Sequence, residues 1–324
     1  MNVALIIFNR PQHTAQVLAQ IAKAKPKNLF VIADGPRTER VGEAELVRET
    51  RAIIARVDWP CRVYKNYSDI NLGCGVRPFT GISWVFNQVD KCIILEDDCV
   101  PDPSFFRYCQ ELLEHYEEDQ RIFMISGDNY LQGGKSGRGS YYASVYPFIW
   151  GWATWRRSWQ RVDFELREWM ALRGTPWLSD YLQDYEAARY WSGRFDYVAG
   201  GQRRDIWDVA WVFACWRAGG MVLLPRVNLV RNIGWGAEST HTNEAVGAMI
   251  VESQPIELPL MHPDDLRVDR RTDRLLFERI FAPRLGLWDR LLWRHTYGII
   301  IRKIPLLGKM WAGWRDRMNE RSAP

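Results

Sequence analysis

The sequence predicts an α/β protein with a mostly parallel sheet and helices on both faces. Short apolar runs alternate with amphipathic stretches through the first 120 residues. The runs are rich in Val, Ile and Leu and nearly free of polar residues, as in strands covered on both sides. Polar residues recur just past their carboxyl ends, where open α/β sheets bind ligands.

Each element follows from its pattern. Residues 3–8 form an apolar strand, Asn9-Arg10-Pro11 a turn, and residues 13–24 an amphipathic helix. A second strand at 29–33 ends in Asp34-Gly35-Pro36, followed by a helix at 43–57 and a strand at 62–67. A helix at 82–89 leads into the strand Cys92-Ile93-Ile94-Leu95. Asp102 and Pro103 suit the N-cap and first position of a helix over 105–119. Beyond lie a strand at 122–126, a mobile loop at 133–139 and an aromatic segment at 141–155. Residues 161–204 are helical in places, 207–218 form a helix, 221–225 a short strand, and 232–243 a Gly-containing loop. The expected organisation is a domain over 1–263, split near residue 120, and a helical basic extension over 264–324.

The chain has 324 residues, 47% hydrophobic and 25% charged, which fits a globular fold with a large core and argues against a disordered chain. Its net charge of +4 is concentrated between residues 285 and 324. Arg290, Arg294, Arg302, Lys303, Lys309, Arg315, Arg317 and Arg321 there outweigh Asp289, Asp316 and Glu320. Six cysteines without a CxxC pair predict reduced, largely buried thiols and neither zinc nor a disulfide framework. No leader pattern or run of about 20 apolar residues is visible, so the expected location is cytoplasmic. Trp residues interspersed with the basic ones make the extension a candidate for docking on the inner, anionic face of the membrane.

The segment "KCIILEDDCVPDPSFF" sets Glu96, Asp97 and Asp98 directly after a buried strand. Three adjacent like charges repel unless a cation or hydrogen-bond donors offset them, which points to a divalent metal; a solvated acidic turn is the alternative.

Four segments, "IIFNR", "VIADGP", "ILEDDCVPDPSFF" and "IWDVAWVFACWRAGGMVLLPRVNLVRNIGWGAEST", in this order, resemble GT-A glycosyltransferases related to N-acetylglucosaminyltransferase I. They resemble still more closely the bacterial haemolytic-protein-like nucleotide-diphospho-sugar transferases. The resemblance covers roughly residues 1–245 and implies a metal-dependent, inverting transfer from a UDP-sugar to a glycan or lipid-linked acceptor. It implies that Arg10 and Asp34 hold the uracil end, Asp97 the ribose, Glu96 the donor sugar, and Asp98 a Mn²⁺ or Mg²⁺ ion. The acceptor-side base falls in the Trp-Asp segment at Asp208, with Asp205 as the rival. Trp150, Gly151 and Trp152 of "YPFIWGWATW" would wall the donor sugar, with packing as the alternative for each Trp. His241 of "NIGWGAESTHT" would reach the diphosphate from a closing lid. The stretch 156–204 is longer than its counterpart in the eukaryotic relatives and implies a different acceptor site.

Two other classes compete. A sugar-nucleotide pyrophosphorylase needs a Gly-rich phosphate loop after the first strand, which "IIFNRPQHT" does not offer. A noncatalytic sugar-nucleotide-binding or scaffolding protein would bind the donor without turnover. Nucleic acid is not an expected partner, because no recognition motif accompanies the basic charge.

Overall fold

A computed structural model of the chain describes residues 1–131, 139–201, 206–234 and 251–282. Its centre is an eight-stranded sheet that includes β1 (Asn2–Ile7), β2 (Asn28–Ala33), β3 (Arg62–Tyr67) and β4 (Lys91–Glu96). A short strand β5 (Cys99–Pro101) follows the acid triplet, then come β6 (Ile122–Ser126), β7 (Tyr141–Ser144), β8 (Trp152–Trp155), β9 (Met221–Pro225) and β10 (Val230–Asn232). The order across the main sheet is β3-β2-β1-β4-β8-β6-β9-β7. Only β8 and β7 run against the others. β5 and β10 form a separate antiparallel pair in front of it.

Alternation along β1 shows why both faces are covered. Ala4 and Ile6 enter one apolar core, Val3, Leu5 and Ile7 the other. The second core is closed by helices α1 (Pro11–Ala24) and α4 (Ser104–His115), through residues such as Val17, Leu18 and Leu112. The first is closed by α3 (Gly73–Phe86) and by the long segment between β8 and β9. That segment folds into the short helices α5 (Arg156–Trp159), α6 (Trp169–Leu172) and α7 (Trp177–Leu182), then α8 (Tyr185–Ala199) and α9 (Asp208–Arg217). Trp152 of β8 packs with Trp159, Trp207 and Trp211 of this segment, with ring centroids 5.4–6.1 Å apart.

Helix α3 starts at Gly73, nine residues before the sequence pattern becomes periodic, and runs through Pro78. Its cause lies outside the helix: the Asp34 carboxylate accepts the backbone N–H of Leu72 and Gly73, at 2.9 Å each, and satisfies donors at the helix start. Helix α4 starts at Ser104 with Pro103 at its cap, one residue past the expected cap Asp102, and Asp102 Oδ1 still accepts the Ser104 N–H at 2.8 Å. The predicted helix over 43–57 is α2 (Glu43–Ile53), ending in a 3-10 turn.

Past residue 263, α10 (Arg270–Ile280) buries Leu276, Phe277 and Ile280 in the first core, and Asp273 Oδ1 accepts from Ser144 Oγ of β7 at 2.6 Å. Residues 285–324 lie outside the described residues, as does most of the expected loop at 133–139. Among the described residues no helix is long and apolar enough to cross a membrane. Cys92, Cys99, Cys109 and Cys215 are buried free thiols, Cys61 is partly buried and Cys74 is exposed.

Candidate functional site

The carboxyl ends of β1, β2 and β4 deliver Arg10, Asp34, Glu96, Asp97 and Asp98 to one cleft of about 820 Å³. Adjacency in the sheet does this: β1 lies between β2 and β4 with matched register, so residues just past each strand end come together. Arg37, Arg40 and Arg77 also line the cleft, which gives it cationic groups facing its acids.

The acids are tightly held. Arg10 Nη1 sits 2.8 Å from Asp98 Oδ2 and 3.8 Å from Asp97 Oδ1. Asp97 Oδ2 accepts the Phe8 N–H at 3.1 Å. Burial, then the neighbouring Asp98, pushes Asp97 up to about 7, while Arg10 and the Phe8 N–H oppose the rise. Glu96 is pushed to about 8 by burial and by the Asp98, Asp97 and Asp208 carboxylates, with Arg10 again opposing. Glu96 keeps partial exposure to the cleft. The influence of Asp208 on Glu96 puts the first residue of α9 within electrostatic reach of the triplet.

Asp34 is more committed to the fold than its sequence context suggests. Its Oδ1 accepts from Leu72 and Gly35, at 2.9 and 3.0 Å, and its Oδ2 from Gly73, which leaves one lone pair on Oδ2. Burial raises its pKa against these hydrogen bonds and the Arg77 charge. Arg77 Nε is itself fixed on the Ala33 carbonyl at 3.2 Å.

The aromatic segment divides. Trp152 is fully buried in the indole cluster and belongs to the core; Trp150 keeps partial exposure, and the buried Gly151 stands at φ +88°. A Cβ on Gly151 would stand 2.7 Å from a Val230 methyl, and one on Gly127 2.6 Å from the same methyl, so β10 can lie against this turn only with glycines there. Asp205 and His241 lie outside the described residues.

Two neighbours of the site have environments that the sequence pattern does not report. Asp128, fully buried past the end of β6, accepts the Trp150 N–H at 3.0 Å on Oδ2, and burial pushes its carboxyl well up. Its signal was the one that singled out Asp34 and Asp98: an acid just beyond an apolar strand. The second is Gly234. The Asp98 carbonyl accepts the Ile233 N–H at 2.8 Å, and a Cβ on Gly234 would lie 2.1 Å from Asp98 Oδ2.

Among the described residues no group of three or more His, Cys, Asp or Glu is arranged as a metal cage. A cation that bridges a diphosphate needs only one or two carboxylates, because phosphate oxygens and water supply the rest. The site meets that lesser demand, since Asp98 Oδ1 has only the weak Cys99 thiol contact at 3.5 Å.

No protein-family model and no curated protein matches the chain. Solved structures similar to it include UDP-glucose pyrophosphorylase complexed with UDP-glucose, at 11% identity over 50% of this chain and 79% of that one, with a TM-score of 0.29. Apo UDP-glucose pyrophosphorylase matches at 9% identity over 69% and 90%, with a TM-score of 0.35. A 4-diphosphocytidyl-2C-methyl-D-erythritol synthase from Anaerococcus prevotii DSM 20548 matches at 8% over 49% and 73%, with a TM-score of 0.31. At these values the likeness decides neither substrate nor reaction.

Proposed function

We propose that the chain is a metal-dependent, inverting glycosyltransferase that moves a sugar from a UDP-sugar to a glycan or lipid-linked acceptor. The observation that carries this reading is the gathering of Arg10, Asp34 and the triplet in one large cleft, with Asp208 in electrostatic reach of Glu96. Cationic and acidic groups in one cleft suit a ligand made of an anionic diphosphate and its counter-cation.

In this reading Asp34 offers its remaining lone pair to the uracil imide, and Asp97 accepts from the ribose hydroxyls. Asp98 holds Mn²⁺ or Mg²⁺, which when bound supplies Lewis-acid neutralisation of charge on the leaving UDP. Glu96 meets a hydroxyl of the donor sugar. Asp208, or Asp205 in its place, takes the proton from the acceptor hydroxyl as that oxygen attacks the anomeric carbon opposite UDP. The new carbon–oxygen bond forms as the bond to the β-phosphate breaks, and the anomeric configuration inverts.

The test is a panel of UDP-sugars with candidate glycan acceptors, scored for UDP release with and without Mn²⁺. Metal-dependent, acceptor-stimulated UDP release supports transfer. UTP formation from a UDP-sugar and pyrophosphate would make the protein a pyrophosphorylase instead. Saturable donor binding without either product would make it a binding or scaffolding protein.

A further inference from the structure

We propose that Arg10 is the resident counter-ion of the acid cluster, which a divalent cation displaces from Asp98, so that metal and nucleotide binding are coupled through this one guanidinium. The inference rests on the metal reading above and concerns how this chain keeps the site before its ligands arrive.

Arg10 stands where β1 ends and Pro11 begins α1, so its backbone is fixed by the sheet on one side and the helix on the other. Its guanidinium is set on the triplet, 2.8 Å from Asp98 Oδ2 and 3.8 Å from Asp97 Oδ1, with both Arg10 and Asp98 side chains mostly shielded from water. Without Arg10, Asp97 and Asp98 would lose the guanidinium that lies against them.

Asp98 Oδ2 is crowded: Arg10 Nη1 lies 2.8 Å from it, and a Cβ added to Gly234 would lie 2.1 Å from it. A cation that takes Oδ2 must therefore move the guanidinium. One that takes Oδ1 instead meets a positive charge within a few ångströms, in a partly dehydrated cleft where repulsion is poorly screened. Either way the arginine and the metal compete for one carboxylate.

The displaced guanidinium remains in the same cleft as Asp34, where the oxygens of a bound nucleotide can accept its N–H groups. Nucleotide binding thereby removes the metal's competitor, and metal binding frees an arginine for the nucleotide. Such coupling is reciprocal. Metal alone binds weakly, and the metal–nucleotide pair binds well.

The experiment titrates the full-length chain with Mn²⁺, reading free Mn²⁺ by electron paramagnetic resonance, with and without UDP. Arg10→Met removes the charge and keeps most of the stem; Arg10→Gln replaces it if the Met variant does not fold; Arg10→Lys retains the charge. The expected result is Mn²⁺ binding at least tenfold tighter in Arg10→Met than in wild type without UDP, and a smaller enhancement by UDP. Arg10→Lys should stay near wild type. Unchanged or weaker Mn²⁺ binding by the folded neutral variants, or Arg10→Lys behaving like Arg10→Met, overturns the inference while leaving the metal reading in place. No Mn²⁺ binding by wild type even with UDP overturns the metal reading, and this inference with it.

Discussion

Asp98 differs from its neighbours in what it faces. Asp97 is tied to the Phe8 N–H and Glu96 is half-buried beside Asp208, whereas Asp98 has one oxygen shared with Arg10 and the other nearly unengaged. Asp98→Asn keeps the shape and removes the charge, so turnover should fall on the order of 10²-fold or more, with thermal stability within about 1 kcal/mol of wild type. UDP release beside a melting curve checks both halves. Asp208→Asn should lose about 10² to 10⁴ in transfer rate and keep UDP-sugar affinity, because a base acts on the acceptor and not on the donor. If Asp205→Asn shows that selective loss instead, the base is Asp205. Asp128 makes a pH prediction. Burial raises its carboxyl well above an unfolded value of about 3.9, so its contribution to stability is full below that value and is lost as pH rises through the folded pKa. Asp128→Asn keeps an acceptor for the Trp150 N–H and cannot ionise. Melting curves between pH 5 and pH 8 should show wild type losing more stability than this variant. Asp34 and Asp98 were legible because each acid ends an apolar run. Asp128 obeys the same rule, but "SGDNY" also has the composition of an ordinary turn, which hides it.

The elements that escaped the sequence are those made by distant partners. Strand β5 is three residues long and exists through pairing with β10, more than a hundred residues later, which no local periodicity reports. Helix α3 begins early because a carboxylate from another strand end satisfies its first donors, and Pro78 in its interior argued locally against it. The buried strands β1, β2 and β4 and the amphipathic α1 and α4 carry their own pattern and were readable. The β5–β10 pair has a functional consequence, since it carries Gly234 over the acid loop. Gly234→Ala should push the Asp98 carboxylate aside and lower turnover by about 10²-fold, the usual effect of a displacement near 1 Å at a reacting centre. Unchanged Mn²⁺-dependent turnover in that variant would show that Asp98 has room to spare.

At the scale of the whole molecule, the first apolar core continues past residue 263 into α10, which is pinned to β7 by the Asp273–Ser144 hydrogen bond. A truncation meant to remove the basic segment must therefore end after about residue 283, so that Leu276, Phe277 and Ile280 keep their places. Full-length protein should sediment with anionic vesicles and not with neutral ones, less so at high salt, and the truncated chain should not sediment. Absence of binding by the full-length chain, or unfolding of the truncated one, would make residues 285–324 a packing element of the domain.

The four packed indoles have an optical consequence. Rings 5.4–6.1 Å apart exchange electronic excitation, so Trp152, Trp159, Trp207 and Trp211 should emit as one unit and show coupled near-ultraviolet dichroism. Trp207 immediately precedes Asp208, the candidate base. An acceptor that settles against Asp208 would perturb one indole, and shared excitation would spread that perturbation across the cluster. Under the proposed transfer reaction, near-ultraviolet dichroism of the unlabelled chain should therefore change when an acceptor binds and stay constant when it does not.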